Sequence, residues 1–289
     1  MNIVIPEEEY VFSGHTGCPG CGAALAMRYT TKALGKQTII ALTASCWTIM
    51  GGAFPYTSLA VPALHCAFAT CATTGAGIKA ALERSGDEET QVLAWAGDGG
   101  TFDIGIQALS GAAERNEDII FACCDNEAYM NTGIQRSSAT PLYAWTTTTP
   151  VDAPKNTRKK DLIGIILAHG VPYAATASIA YPADMIAKVK KAKEIRGTKL
   201  LHILCPCPTG WRYSPELTIE IARLAVQSKL FPLYEVENGR FNITLMPNGV
   251  PVKDYLELQG RFRHLTGDDI ETIQHNIDMD WQKLLQKTV

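Results

Sequence analysis

Five cysteines at dispersed positions could hold a metal ion or a metal cluster. Cys18 and Cys21 form a CxxC pair in the loop GCPGCG, Cys46 follows 25 positions after Cys21, and Cys205 and Cys207 come much later. Four thiolates can bind a [4Fe–4S] cluster or a structural zinc ion, and a lone CxxC can be a redox pair. Zinc ribbons usually bring two CxxC pairs, so the dispersed later cysteines favour a cluster held by the tertiary fold. The composition alone does not choose iron over zinc.

The other four cysteines are predicted to be small buried side chains. The chain has nine cysteines, an odd number that cannot all pair within it. In a reducing compartment, clustered cysteines indicate metal or redox chemistry before disulfides. The four that lie inside apolar or small-residue runs are expected to pack in the core, and they are Cys66, Cys71, Cys123 and Cys124.

A second group of residues could bind magnesium and a diphosphate. Gly97-Asp98-Gly99 ends a predicted buried strand, and Asn126, 28 positions after Asp98, directly follows another. Mg²⁺ takes six oxygen ligands at about 2.1 Å and often holds phosphate groups with one or two carboxylates. The glycines would let a phosphate approach the backbone, and a helix starting near Asp103 would point its N-terminus at the anion. This pairing is typical of thiamine diphosphate sites; the alternative is a glycine turn with a helix-capping Asp and an unrelated Asn.

The loop DNEAYMNT at 125–132 is long and polar and follows a strand, as a site loop would. Asn126 is the predicted side-chain ligand, and Ala128 would offer its carbonyl oxygen because its side chain cannot coordinate a metal. Asn131 and Thr132 could face the thiazolium or the substrate. Each could instead hold the loop through hydrogen bonds from side chain to backbone.

The apolar pattern predicts the scaffold that positions these residues. Short apolar runs predict strands at 38–44, 91–96, 119–124, 173–177 and 199–204, and helices are predicted at 23–34, 62–83, 104–114, 159–169 and 182–196. This alternation predicts an α/β fold with a doubly wound, mostly parallel sheet. Ligands of such sheets bind at the carboxyl ends of the strands. Four of the candidate residues follow predicted strand ends: Cys46, Asp98, Asn126 and Cys207.

The alternation stops at about Ser214. Residues 239–251 are predicted to form a hairpin or an extended arm with Pro247-Asn248-Gly249 as its turn, and 252–264 and 268–287 to form helices. We therefore expect a cofactor-binding α/β domain over 1–213 and a C-terminal extension over 214–289. The extension is expected to pack on the core or on a partner subunit.

The bulk composition excludes several classes of function. With 289 residues and 46% hydrophobic content, the chain can bury a sizeable core. A net charge of −3 without a basic block argues against nucleic acid as a partner. No run of roughly 18 apolar residues could span a membrane, and the N-terminus, with Glu7, Glu8 and Glu9, does not resemble a secretory signal. The cytoplasm is the expected location.

Several motifs, taken in order, resemble the beta subunit of pyruvate:ferredoxin oxidoreductase and its 2-oxoacid relatives. They are HTGCPGCG at 15–22, GDGGTFDIG at 97–105, DNEAYMNTG at 125–133, ATPLYAWTTTTP at 139–150 and CPTGW at 207–211. The later LQGRFRHL at 258–265 is similar to the C-terminal region of this family. The resemblance covers nearly the whole chain and implies the thiamine-diphosphate-binding fold of the diphosphate-binding type.

The resemblance implies a set of ligands. The family's proximal [4Fe–4S] ligands fall on Cys18, Cys21, Cys46 and Cys207. Cys205 is left over, because the family motif places its cysteine directly before Pro-Thr-Gly-Trp. The Mg²⁺ ligands fall on Asp98, Asn126 and the carbonyl of Ala128, in a thiamine diphosphate site that includes Gly97, Gly99 and the nearby Cys46. Asn131, with Thr132 beside it, matches a position near the reactive carbon of the cofactor.

The resemblance also implies a reaction and partners. A 2-oxoacid, most often pyruvate, is decarboxylated oxidatively, coenzyme A takes the acyl group, and electrons pass through the cluster to ferredoxin. The activating Glu would come from the pyrimidine-binding domain of an alpha subunit. Gamma and ferredoxin-like delta subunits or domains would complete the complex.

Alternatives remain within and outside this family. Its other members act on 2-oxoisovalerate, arylglyoxylate or indolepyruvate, 2-oxoglutarate or oxalate, and flavodoxin or NAD could replace ferredoxin. A non-oxidative thiamine-dependent decarboxylase subunit would need Asp98 and Asn126 but no cluster. A zinc-stabilised interaction module would contain zinc and no thiamine.

Overall fold

The computed structural model describes residues 5–288 and contains one eight-stranded sheet. The strands are β1 (Thr38–Thr43), β2 (Ala63–Cys66), β3 (Gln91–Gly97), β4 (Ile120–Asp125), β5 (Tyr173–Ser178), β6 (Lys199–Leu204), β7 (Leu233–Glu237) and β8 (Arg240–Leu245). Residues 1–4 and 289, which belong to the predicted N-terminal stretch and C-terminal extension, lie outside the described residues.

Helices connect these strands and cover the sheet. They are α1 (Gly22–Leu34), α2 (Cys46–Gly51), α3 (Cys71–Arg84), α4 (Ile106–Glu114), α5 (Leu162–Leu167), α6 (Pro182–Glu194), α7 (Pro208–Trp211), α8 (Thr218–Gln227), α9 (Val252–Glu257) and α10 (Gly267–Lys287). A π-helical turn, Gly99–Asp103, precedes α4, and 3₁₀ turns lie at Pro215–Leu217 and Gly260–Phe262. No helix within residues 5–288 is long and apolar enough to cross a membrane.

The predicted fold class is confirmed. The strand order is β2-β1-β3-β4-β6-β5-β7-β8, and the first six strands run parallel. β7 is antiparallel to β5, and β8 is antiparallel to β7. Helices α1 and α6 pack on one face of the sheet, and α3, α4 and α5 pack on the other. The sheet is therefore doubly wound and mostly parallel.

The central strands are apolar along their whole length because both faces of the sheet are covered. Every residue of β4 and β6 is buried. Successive side chains point to opposite faces, so that Ile120 and Ala122 pack in one apolar layer and Phe121 and Cys123 in the other. This double burial explains why apolar runs alone located these strands.

The predicted helix at 62–83 is wrong over its first part. Ala63–Cys66 is a strand that pairs in parallel with β1 at the edge of the sheet, and the helix begins only at Cys71. A tight turn separates them, in which the amide of Thr70 donates to the carbonyl of Ala67. The edge strand is largely exposed and carries no apolar run of strand type. Its conformation is set by pairing with β1, which a local pattern does not contain.

The other predicted helices differ mainly at their ends. The helix predicted at 159–169 begins at Leu162, because the side chain of Asp161 caps it by accepting from the amide of Gly164 at 2.9 Å. The helix predicted at 252–264 is divided into α9 and the Gly260–Phe262 turn. Helix α8 was not predicted at all.

The hairpin prediction placed the turn wrongly. The strands β7 and β8 are joined at Asn238-Gly239, whose φ angles of 49° and 79° are both left-handed, as a tight two-residue hairpin requires. Pro247-Asn248-Gly249 instead follows β8, and the amides of Asn248 and Gly249 donate to Gln227 at the end of α8. Residues after 213 thus add two strands to the sheet, while the division of the chain at 213/214 stays a prediction.

Candidate functional site

The carboxyl ends of the parallel strands bring the predicted site residues to one edge of the sheet. Asp98 directly follows β3, Asn126 directly follows β4, and Cys46 begins α2 after β1. Cys207 follows β6, whose end pairs with the end of β4 at Asp125. The register between neighbouring strands aligns these ends, as expected for ligand sites of parallel sheets.

Polar groups of three predicted magnesium ligands converge. Asp98 is 1% exposed, and its Oδ2 accepts a hydrogen bond from the hydroxyl of Ser137. One terminal atom of the Asn126 side-chain amide lies 3.0 Å from Asp98 Oδ1 and 2.9 Å from the carbonyl oxygen of Ala128. With its nitrogen there, the amide would donate to both oxygens; with its oxygen there, three oxygens face one another.

The spacing of these atoms fits the donor set of an octahedral ion. Oxygen ligands held at about 2.1 Å from Mg²⁺ lie about 3 Å apart along the edges of the octahedron. The terminal amide atom of Asn126 lies at that distance from Asp98 Oδ1 and from the Ala128 carbonyl oxygen. Carboxylate, side-chain amide and carbonyl oxygens are the ligand types that Mg²⁺ prefers. The residues therefore fit a magnesium ion at this position.

The surroundings of Asp98 favour the protonated form of its carboxyl group. Burial, and then the nearby carboxylate of Asp125, raise the pKa of Asp98 well above its ordinary value. A bound cation would favour the ionised form, because an ion is often the largest local charge of such a site.

Close packing requires a glycine at position 99. A Cβ on Gly99 would overlap the ring of Tyr129, whose hydroxyl donates to Asp103 Oδ2 at 2.9 Å. A Cβ on Gly97 would make only an ordinary contact with Ser45. The GDG segment continues into the π-helical turn, a conformation often found at functional sites.

The two residues predicted to be catalytic lie on the exposed part of the 125–132 loop. Asn131 and Thr132 are both exposed. The hydroxyl of Thr132 donates to the carbonyl of Tyr129 at 3.3 Å and to Gln135 Oε1 at 3.2 Å, so it helps to hold the turn. Their catalytic roles stay predictions.

Hydrogen bonds join three cysteine-bearing segments. The amide of Gly22 donates to the carbonyl of Pro206 at 3.1 Å, and a Cβ at position 22 would lie 2.7 Å from that oxygen. The indole of Trp47, on α2, donates to the carbonyl of Ala23 at 2.9 Å. The CxxC loop therefore lies against the segment after β6 and against α2. These segments carry the four predicted cluster ligands, Cys18, Cys21, Cys46 and Cys207.

The predicted thiol ligands are near enough to influence one another. Burial raises the pKa of Cys46 to about 12, and charge on Cys124, Cys207, Cys21 and Cys18 adds to the rise. Burial likewise raises the pKa of Cys21 to about 11, and it raises the pKa of Cys207. Cys18 is exposed and the other three predicted ligands are half-buried. Within residues 5–288, no group of three or more His, Cys, Asp or Glu side chains is arranged to hold a metal ion.

The remaining cysteines mostly behave as core residues. Cys71, Cys123 and Cys124 are buried as predicted, and Cys66 is half-buried. Cys205 is buried with its sulfur 3.1 Å from that of Cys124.

Sequence reasoning missed a buried network of charges beneath the site. The ammonium of Lys159 lies 2.5 Å from Asp125 Oδ2 and 3.0 Å from Glu127 Oε1, and the ring of His202 lies 2.6 Å from Asp125 Oδ2. Burial would raise the pKa of Asp125, but Lys159 and His202 outweigh it and the net shift is downward. Arg261 adds a second cation, which is itself buried, 2.7 Å from Glu127 Oε2. The only sequence signals were a charged residue inside the 125–132 loop and an arginine in the LQGRFRHL motif.

Comparisons with known proteins show the family to which the chain belongs. Residues 19–203 match the family described as "Thiamine pyrophosphate enzyme, C-terminal TPP binding domain". The chain is therefore a thiamine-pyrophosphate-binding enzyme chain of the α/β type.

Relatives at high identity narrow the class. The chain is 50% identical to ketoisovalerate oxidoreductase subunit VorB of Pyrococcus furiosus, over 98% of this chain and 94% of that protein. It is 52% identical to pyruvate synthase subunit PorB of Methanocaldococcus jannaschii, over 94% of this chain and 95% of that protein. It belongs to the beta subunits of the 2-oxoacid oxidoreductase family, as its motifs indicated.

A solved structure has the same fold. It is a chain of 2-oxoglutarate:ferredoxin oxidoreductase from Magnetococcus marinus, with a TM-score of 0.61 and 21% identity, over 77% of this chain and 81% of that chain. At this identity the likeness supports the fold.

Proposed function

We propose that this chain is the thiamine-diphosphate and [4Fe–4S] subunit of a 2-oxoacid:ferredoxin oxidoreductase that catalyses coenzyme A-dependent oxidative decarboxylation. The observation that carries the proposal is the convergence of the Asp98 carboxylate, the Asn126 side-chain amide and the Ala128 carbonyl at the carboxyl edge of the sheet. When bound, thiamine diphosphate supplies the carbanion chemistry and the cluster accepts single electrons.

The residues of this chain would bind and orient these groups. Asp98, Asn126 and the Ala128 carbonyl would hold Mg²⁺ on the diphosphate, while Gly97 leaves the backbone beside Asp98 open to it. Gly99 instead makes room for the ring of Tyr129. Asn131 and Thr132 would face the reactive end of the cofactor from the exposed part of their loop. Cys46, at the end of β1, would lie beside both cofactors.

The cluster is assigned to Cys18, Cys21, Cys46 and Cys207. Each iron of a [4Fe–4S] cluster takes one thiolate, so the ligands must surround the cluster instead of meeting at one ion. The hydrogen bonds between the segments that carry these thiols support a shared site. Cys205 is buried with its sulfur against that of Cys124, whereas Cys207 is half-buried, which favours Cys207 as the fourth ligand.

Pyruvate is the first candidate substrate and 2-oxoisovalerate the second. Relatives named for pyruvate and for ketoisovalerate have nearly equal identity to this chain, 52% and 50%. We further propose an alpha subunit that supplies the activating Glu, gamma and delta subunits or domains, ferredoxin as the acceptor, and a cytoplasmic location. A panel of 2-oxoacids assayed with the anaerobically purified native complex would identify the substrate.

The assignment of the two cofactor sites is tested by two substitutions in the native complex. Asp98→Ala is expected to lose thiamine diphosphate binding and to retain iron, because it removes the only carboxylate of the oxygen set. Cys46→Ser is expected to lose the cluster, measured as brown colour and a fall from about four irons per chain. Cys123→Ala, a buried cysteine outside the set, should keep its iron.

Two results would contradict this assignment. Full affinity of Asp98→Ala for thiamine diphosphate would show that Mg²⁺ binds elsewhere. Zinc in place of iron, with no thiamine bound, would instead support an interaction module.

A further inference from the structure

We propose that Arg261 is a positioning residue for the magnesium ligands, acting through the buried carboxylate of Glu127. The proposal rests on the proposed function, because it takes Asn126 and Ala128 as ligands. It gives the C-terminal part of the chain a direct role in assembling the cofactor site.

Glu127 fixes the two ligands because it stands between them. It is 1% exposed and has a φ of 66°, a left-handed conformation that a non-glycine residue adopts only where its surroundings enforce it. Its amide donates to Asp125 Oδ1 at 3.0 Å, and its carbonyl accepts from the hydroxyl of Thr140 at 2.7 Å. Rotation of either adjoining peptide would move the side chain of Asn126 or the carbonyl of Ala128 away from Asp98.

Two cations hold the carboxylate of Glu127, the buried Arg261 and the half-buried Lys159. Arg261 donates to Oε2 at 2.7 Å and Lys159 to Oε1 at 3.0 Å. Lys159 is shared with Asp125, so Arg261 is the cation devoted to Glu127. Without Arg261, the buried carboxylate of Glu127 would keep only Lys159, which also binds Asp125. A buried carboxylate with so little compensation is costly in free energy, which favours movement of the loop.

Arg261 also reaches the loop by a second route. Its guanidinium lies 3.8 Å from the ring centroid of Trp211, and the indole of Trp211 donates to the carbonyl of Asn126 at 2.8 Å. Arg261 Nε donates to Gln259 Oε1 at 2.9 Å. Arg261 Nη2, the nitrogen that binds Glu127, also donates to the hydroxyl of Tyr255 at 3.1 Å. The guanidinium is thus stacked and oriented at once, which an ammonium group cannot reproduce.

The stack also connects the two cofactor sites. Trp211 belongs to the CPTGW segment that begins at Cys207, and its indole is bonded to Asn126 in the magnesium loop. Arg261 packs over the indole and binds the neighbouring Glu127. Because Arg261 contacts the magnesium loop directly and reaches the cysteine-bearing segment only through Trp211, a change at Arg261 should act mainly on the magnesium loop.

The test compares affinities for thiamine diphosphate in the native complex at saturating Mg²⁺, measured by calorimetry. Arg261→Gln is expected to weaken binding by about ten- to hundred-fold, the usual effect of removing a residue that orients a metal ligand. Arg261→Lys keeps the charge but loses the fork and the stack, so it should weaken binding less while remaining folded. Both variants should retain their iron.

The control is an ion pair at the opposite edge of the sheet, whose cation is as buried as Arg261 and whose carboxylate is less buried than Glu127. Lys199, whose side chain is 2% exposed, lies 2.5 Å from Asp118. Lys199→Gln should lower the melting temperature by a similar amount without changing the affinity for thiamine diphosphate.

Each outcome decides the proposal. Wild-type affinity in both Arg261 variants, with binding lost in Asp98→Ala, would overturn the positioning role and leave the proposed function intact. Equal weakening in Lys199→Gln would reduce Arg261 to a general stabilising role. If Arg261→Gln does not assemble, Arg261→Lys decides. Retained binding in Asp98→Ala would instead overturn the proposed function.

Discussion

Buried titratable side chains at the sheet edge differ in pKa because their partners differ. Asp98 and Asp125 are both fully buried at neighbouring strand ends. Burial raises the pKa of Asp98, whose partner is a hydroxyl, while Lys159 and His202 hold the pKa of Asp125 below its usual value. Asp125 is thus already compensated within the chain, whereas the partner of Asp98 is a hydroxyl, which fits the proposed role of Asp98 as a magnesium ligand.

The neighbouring thiols of Cys66 and Cys71 also differ in pKa, which is lowered for Cys66 and raised for Cys71. Of the cysteines outside the predicted cluster, Cys66 is therefore expected to be the reactive thiol. A hydrogen bond from Cys71 lowers the pKa of Cys66 to about 6; burial opposes this shift, and Thr74 adds to it. Because the pKa is lowered, the thiolate prevails above about pH 6 and is lost as the pH falls below it. Iodoacetamide should therefore modify Cys66 rapidly at pH 7, with a rate that halves near pH 6, measured by mass spectrometry.

Cys71→Ala provides the control for this prediction. Loss of the Cys71 hydrogen bond should move the midpoint of the rate profile toward the ordinary thiol value of 9.0. A wild-type midpoint already near that value would contradict the environment assigned to Cys66.

At the scale of secondary-structure elements, the turn between β3 and α4 determines the backbone conformation next to Asp98. The π-helical turn follows Asp98 directly, and the amide of Ile104 donates to the carbonyl of Gly99 at 3.2 Å. Gly105, where α4 starts, lies so close to the carbonyl of Gly100 that a Cβ would overlap it. The conformation of this turn therefore depends on a close approach between two backbone segments.

Gly105→Ala should lower the free energy of unfolding by about 1–3 kcal/mol, because the added methyl meets a backbone oxygen that cannot move aside. Gly77→Ala in α3 is the matched control, since a Cβ there has nothing within 4 Å. It should raise the free energy of unfolding by about 0.5–1 kcal/mol. Urea denaturation measures both, and equal effects of the two substitutions would contradict the packing argument.

At the scale of the whole molecule, the chain provides one α/β sheet with a diphosphate-type site at its edge. Two aromatic side chains on the loop that follows α2 are almost fully exposed, Phe54 by 94% and Tyr56 by 88%. Under the proposed function, the activating Glu would come from an alpha subunit. The site is therefore expected to be complete only in the assembled complex.

The isolated chain should accordingly show no detectable reduction of a viologen dye by 2-oxoacids with coenzyme A, while the complex with its partner subunits is active. The control is the iron content of the isolated chain, which should match that of the complex. Full activity of the isolated chain would contradict the proposed division of the active site.

Local sequence predicted the parts of this protein that depend on local patterns. Central strands buried on both faces are continuous apolar runs, so β3, β4 and β6 were located to within a residue or so at each end. The GDG segment and Asn126 could be paired because parallel strands end at the same edge of the sheet.

Tertiary contacts decided the rest. Edge strand β2 exists because β1 offers it hydrogen bonds, and the hairpin turn lies where two residues adopt positive φ angles and not where a Pro-Asn-Gly signal stands. The pairing of Glu127 with Arg261 joins residues 134 positions apart, and no pattern along the chain encodes such a contact. The sequence thus determined which residues could do the chemistry, and only the folded chain determined which buried charges hold them in place, because that depends on packing between distant segments.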